Sequence, residues 1–155
     1  MNVSLGIDQS HIEEITNAIR EVLSDTALLC LKTKGFHWNV TGNDFWQLHE
    51  MFDEQSSELN DGADKLAERI RALGKKSPGS FAEFSRMSQI KECEHVLTAN
   101  KIVEELLDDH EAMIRRIRAH ITILEKTHDH ETIDMLTERL FVHGKFAWTL
   151  RSYLS

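Results

Sequence analysis

The chain has 155 residues, of which 41% are hydrophobic and 28% charged, and its formal net charge is −8. That length suits one domain with a sizeable core, and the composition is that of a soluble globular protein. The acidic balance argues against a broad grip on nucleic acid, which depends on Lys and Arg neutralising phosphates.

No apolar run approaches the length of a membrane span. The opening residues, MNVSLGIDQSHIEE, lack the basic region and apolar block of a secretory signal. Cys30 and Cys93 are too few and too unpatterned for a disulfide framework, so a cytoplasmic location is expected. No Lys or Arg precedes Arg20, and the ending TLRSYLS holds a single Arg, so neither end reads as a basic arm. Nine histidines are the unusual feature of the composition.

In chain order, Ile12, Ile15, Ile19, Val22 and Leu23 follow helical spacing, and the pattern predicts a first helix over about 8–38. VTGN at 40–43 is a turn. A second helix is predicted over 44–73, with Gly74 as its stop and Gly62 as a weak point inside it. The only proline, Pro78, sits in GKKSPGS, the clearest break in the chain. SFAE at 80–83 has the S-x-x-E capping pattern and predicts a short helix over 81–86. Val103, Leu106, His110, Met113, Ile114, Ile117, Ile121 and Leu124 form one stripe of a helix over 98–126. A last helix is predicted over 130–152. The expected fold class is all-α: a four-helix bundle with a short extra helix in the long crossover between the second and third long helices, the connectivity of ferritin-like folds.

The second helix carries two pairs four residues apart, His49 with Asp53 and Asp64 with Glu68. At ~100° per residue all four fall on one broad face. Asp53 and Asp64 are separated by about 16 Å along the axis, so a single helix cannot bring them to one metal. A second copy changes this. His49 and Glu68 are equidistant from a point between residues 58 and 59, and so are Asp53 and Asp64. A two-fold axis at that point sets His49 opposite Glu68 and Asp53 opposite Asp64 of the other copy, creating two equivalent sites. His37, at the end of the first helix, is within reach of the same site. Two imidazoles and three carboxylates suit Fe(II), and also Zn or Mn, since ligand type alone does not choose the metal. The alternative for acidic residues at this spacing is a solvated helix face.

At these residues the chain resembles the Dps family, the miniferritins that protect bacteria during starvation and oxidative stress. The resemblance rests on KGFHWNVTGNDFWQLHEMFDE followed by DKLAERIRALG, with PGSFAEF, DMLTERL and HGKFAWTLR in support, and it covers residues 10–152. It implies that His37, His49, Asp53, Asp64 and Glu68 are ferroxidase ligands shared between two chains. It further implies a hollow dodecamer built from two-fold dimers, in which Fe(II) is oxidised by hydrogen peroxide (or O2) and stored as ferric mineral. DNA binding and compaction is the alternative function, with weak or no DNA binding expected from the charge and the ends.

Other features are open to two readings. Glu50, Glu54, Glu58 and Asp61 form an acidic stripe beside the ligand face, which either nucleates mineral or is simply solvated. In the family, acidic residues near the turn into the last helix line three-fold pores, and Glu125, Asp129 and Asp134 are the matching residues. His128 and His130 bind metal there or are exposed turn residues. Trp38 and Trp46 intercept radicals or only pack. His110 and His143 read as hydrogen-bonded core histidines rather than ligands. The family often has Glu where this chain has Gly144. Glu92-x-x-His95 and Glu125-x-x-His128 match the motif of larger ferritins but fall at helix ends or loops, so a di-iron centre inside one bundle is not expected. Arg115, Arg116 and Arg118 are the candidate local contacts for DNA.

Overall fold

The computed structural model describes residues 3–155. Four long helices carry the fold: α1 (Ile12–Asn39), α2 (Phe45–Ala72), α4 (Ala99–Leu124) and α5 (His130–Tyr153), with the short α3 (Phe81–Met87) in the crossover. The first and third long helices are each trimmed relative to the sequence pattern by a 3-10 turn, Gln9–His11 before α1 and Glu125–Thr127 after α4. At the first turn Asp8 accepts from the Ser10 amide, which starts the chain upward before the α-helical bonds take over.

The ends of the helices follow the local chemistry of the sequence. Gly74 closes α2 with φ +80°, a conformation that favours glycine. The Gly74 amide donates to the Arg71 carbonyl and the Lys75 amide to the Ile70 carbonyl, the paired bonds of a Schellman motif. Ser80 caps α3: its hydroxyl accepts from the Glu83 amide and donates to the Glu83 carboxylate. Asp129 caps α5 by accepting from the Thr132 amide.

Contacts between helices give their directions. Lys32 pairs with Asp109 and Asp25 with Arg116, so α1 and α4 are antiparallel. Arg69 meets Thr132 and Arg139 meets Glu58, so α2 and α5 are antiparallel too. Since α1 and α2 form an antiparallel hairpin, α2 and α4 must run the same way, and the segment between them has to travel the length of the bundle. A buried carboxylate holds that segment down. Asp25, only 2% exposed, accepts from the Ser88 hydroxyl and the Gln89 amide and pairs with Arg116.

Between the helices Ile15, Ile19 and Leu29 of α1, Leu48, Phe52, Leu59 and Leu66 of α2, Leu106 and Ile117 of α4, and Leu136 and Leu150 of α5 are fully buried. Each such side chain contributes about 1.5–3 kcal/mol of transfer free energy. The core also holds Arg139, 1% exposed, which donates twice to the Glu58 carboxylate at 2.7 and 2.5 Å. Gly62 is the reason it fits. A Cβ at residue 62 would lie 2.6 Å from the guanidinium carbon. The weak point in the second helix is therefore a seat for a buried arginine. Among the described residues no helix is long and apolar enough to cross a membrane.

Candidate metal centre

The α1–α2 hairpin is closed by residues 40–44, which sets the last turn of α1 beside the first turns of α2. There His37 and His49 hold each other in place. His37 Nδ1 is 2.7 Å from the His49 carbonyl oxygen, and His49 Nδ1 is 2.8 Å from the His37 carbonyl oxygen. A carbonyl can only accept, so both Nδ1 atoms carry a proton, and the neutral form of each ring keeps its lone pair at Nε2. The arrangement also supplies a donor to the His37 carbonyl, one of the last four carbonyls of α1, which lack helical partners. The two rings stack at a centroid distance of 3.8 Å and an interplanar angle of 19°. Phe45 also stacks on His49, at a centroid distance of 5.0 Å.

Asp53, one turn beyond His49, places Oδ1 3.9 Å from His37 Nε2 and 2.5 Å from Lys34 Nζ. The Lys34 hydrogen bond and charge hold the Asp53 carboxyl below its usual range, and His37 and His49 act in the same direction. Imidazoles whose Nδ1–H groups are held by backbone carbonyls, with an ionised carboxylate alongside, are the pattern of metal-binding histidines.

Asp64 and Glu68 lie on the same helix, exposed and well removed from this trio. Asp64 borders a groove of about 420 Å³ between α1 and α2, together with Leu23, Ala27 and Cys30. Among the described residues, no three of His, Cys, Asp and Glu gather closely enough to hold a metal ion within one chain. The fold sets His37 against His49 and near Asp53, and keeps Asp64 and Glu68 of the same chain apart from them.

Several other expectations change. Glu50 and Glu54 are exposed and line a cleft between α2 and α5. Glu58 drops out of the free acidic stripe because it is committed to Arg139. Asp129, expected at a pore, is 2% exposed, caps α5 and pairs with Arg69 at 2.6 Å. Its carboxylate is engaged by the helix N-terminus and the half-buried Arg69 guanidinium. Glu125 and Asp134 are exposed. His128 adopts a left-handed φ of 55° and lies with its ring 6.5 Å from that of His130, both exposed. The Arg115–Arg116–Arg118 patch loses its middle member, since Arg116 is tied to Asp25 and Glu21. Trp38 and Trp46 are 62% and 68% exposed. Gly144 is exposed, with nothing near its Cβ position. His110 and His143 are core residues, hydrogen-bonded to each other. Lys34 was missed by the sequence reading. Its only signal is its place one turn before His37.

The family model for the ferritin-like domain matches residues 16–155. DNA protection during starvation protein 2 of Bacillus anthracis is 32% identical over 143 residues, which cover 92% of this chain and 98% of that protein. The chain belongs to the Dps family of ferritin-like proteins. It is also 34% identical over 154 residues to an uncharacterised low temperature-induced protein of Nostoc sp. strain PCC 7120, with 98% and 86% of the two chains covered. The Dps protein of Vibrio cholerae O1, a member of a broad superfamily of ferritin-like diiron-carboxylate proteins, superposes with a TM-score of 0.93 at 26% identity, covering 100% of this chain and 98% of that one. In this Dps-family chain the bundle does one thing for the candidate centre. It fixes the α1–α2 hairpin so that the two imidazoles brace each other and Asp53 lies 3.9 Å from His37 Nε2.

Proposed function

We propose that this chain is the subunit of an iron-storing ferroxidase whose site is completed by a second copy. The observation that carries the reading is the reciprocal pinning of His37 and His49, which frees both Nε2 lone pairs beside ionised Asp53. Asp64 and Glu68 are exposed on the same helix, at positions that a two-fold axis between residues 58 and 59 would bring to the trio of another chain. Exposed Trp38 and Trp46 flank the histidines in sequence and suit burial in that contact.

Fe(II) is the substrate. His37, His49 and Asp53 of one chain, with Asp64 and Glu68 of its partner, hold the ions, and the carboxylates favour the Fe(III) product. Two Fe(II) give two electrons to one hydrogen peroxide. With two protons it leaves as two waters, so no hydroxyl radical is released. O2 is the alternative oxidant. Zn(II) fits the same donors but cannot be oxidised. In a hollow twelve-chain shell, Glu50 and Glu54 would offer ferric ions a nucleating surface, and Glu125 and Asp134 would draw cations to the pore.

The test is the kinetics of peroxide-driven Fe(II) oxidation in the assembled protein. Replacing His49→Ala together with Asp53→Ala should slow it by roughly 100-fold or more, since even outer-shell changes at metal sites cost 10–100-fold. Unchanged kinetics in that variant would remove the reading. No observation favours DNA compaction instead: the net charge is −8 and Arg116 is internally paired.

A further inference from the structure

The middle of the bundle contains more polar atoms than its own side chains satisfy. His110 and His143 are fully buried, with Nδ1 atoms 2.8 Å apart, yet neither Nε2 has a protein partner. Thr33 Oγ1, both amide atoms of Gln55 and Arg139 Nε are likewise buried and unpartnered. They belong to one neighbourhood. Lys32 on Asp109 sets Thr33 level with His110, and Glu58 on Arg139 sets Gln55 within a turn or two of His143. The Phe146 ring lies 5.4 Å from that of His110, and Phe146 and Gln55 share a wall of the cleft between α2 and α5.

The donor and acceptor inventory says what this neighbourhood accepts. A hydrogen bond between two Nδ1 atoms of neutral rings requires one Nδ1–H and one Nδ1 lone pair. The donating ring then shows a bare Nε2, and the accepting ring an Nε2–H. Burial holds both rings neutral, pushing His110 down to about 3 and His143 well below its ordinary value. Arg139 is balanced by Glu58. The site therefore has no net charge and offers both donors and acceptors. A metal ion would find one imidazole lone pair and a guanidinium close by. An anion would find few free donors and Glu58. A small neutral hydroxyl molecule matches on every count, and buried water characteristically bridges two to four such atoms.

We propose that the bundle centre is a built hydration site, in which water links Gln55 and the outer nitrogens of the His110–His143 pair and exchanges protons with the α2–α5 cleft. The cleft, of about 650 Å³, is bordered by Glu50, Asp53 and Glu54, so the hydrated run opens beside the candidate metal centre. The inference stands whether or not iron is oxidised there.

Neutron diffraction from deuterium-exchanged crystals of the full chain tests it. The expected result is one ring deuterated only at Nδ1, the other only at Nε2, and D2O within hydrogen-bonding distance of Gln55 and at least one Nε2. Unexchanged imidazole protons, a dry core, or a metal ion between the Nε2 atoms would each overturn it. In Gln55→Leu crystals the water at Gln55 should vanish and deuterium at the histidines should fall. Full exchange there would overturn the route through the cleft, while the wild-type crystals alone decide the site itself.

Discussion

Lys34 Nζ sits 2.5 Å from Asp53 Oδ1, so the one candidate carboxylate that a single chain brings to the histidines already has a cation on it. A metal ion arriving at Asp53 must displace that ammonium or share the oxygen with it. Lys34→Met should therefore tighten binding of redox-inactive Zn(II) to the assembled protein by roughly two- to tenfold, in keeping with the modest strength of exposed ion pairs. Titration calorimetry measures it. Weaker binding would mean that Lys34 orients Asp53 for the metal rather than competing with it.

Gly62 has a packing role that opposes its poor helix propensity. Alanine is intrinsically about 1 kcal/mol better in a helix. Here its methyl would meet the Arg139 guanidinium at 2.6 Å, and Arg139 is enclosed. Gly62→Ala should lower stability by about 1–3 kcal/mol, the usual cost of overpacking. Thermal unfolding followed by circular dichroism reads this directly, and a rise in the midpoint would show that Arg139 can move aside.

Asp25 gathers Ser88, Gln89 and Arg116 at one buried carboxylate. Asp25→Ala leaves Arg116 without its closest partner and frees the crossover. Removing one member of a buried pair costs about 3–5 kcal/mol. Hydrogen exchange should show lost protection concentrated in residues 86–92. Uniform loss across all helices would assign Asp25 to the core rather than to the crossover.

The His110–His143 pair predicts a pH effect with a definite sign. Both folded-state values are depressed, so below the unfolded value near 6.5 the unfolded chain binds more protons than the folded one. Their contribution to stability is complete above that pH and is lost as pH falls from 6.5 toward about 3 for His110. Each ring that stays neutral adds at most about 1.4 kcal/mol of loss per pH unit in that window. The slope of unfolding midpoint against pH between 6.5 and 5 should flatten in a His110→Leu, His143→Leu double variant. An unchanged slope would place the titrating groups elsewhere.

DNA binding should be weak or absent at neutral pH. The net charge opposes it, Arg116 is paired with Asp25, and Arg115 lies 3.9 Å from Glu111. A gel shift at physiological salt checks this, and tight retardation would contradict it.

How far the sequence could be read depends on whether a feature is local. The four long helices, the Gly74 stop and the Ser80 cap follow from periodicity and end chemistry within a few residues. His37, His49 and Asp53 stood out as candidates because identity and spacing coincide in one short stretch. The mutual support of the two histidines did not, because it needs the hairpin to bring one backbone to the other's ring. The cap made by Asp129 was not legible, since an exposed acid and a helix cap have the same letters at a turn. Its commitment to Arg69 lies 60 residues away in sequence. Gly62 seemed a flaw until Arg139 was seen against it. In each case the hidden information is a contact between helices.

The central claim is that each iron site takes residues from two chains. Two inactive variants test it when co-assembled: His37→Ala with His49→Ala in one, Asp64→Ala with Glu68→Ala in the other. A mixed pair would have one site with both halves damaged and one site with both halves intact. Peroxide-driven Fe(II) oxidation should therefore reappear in the mixture, although each variant alone lacks it. Mixed shells that stay inactive, with mass spectrometry confirming that both chains are present, would contradict a shared site.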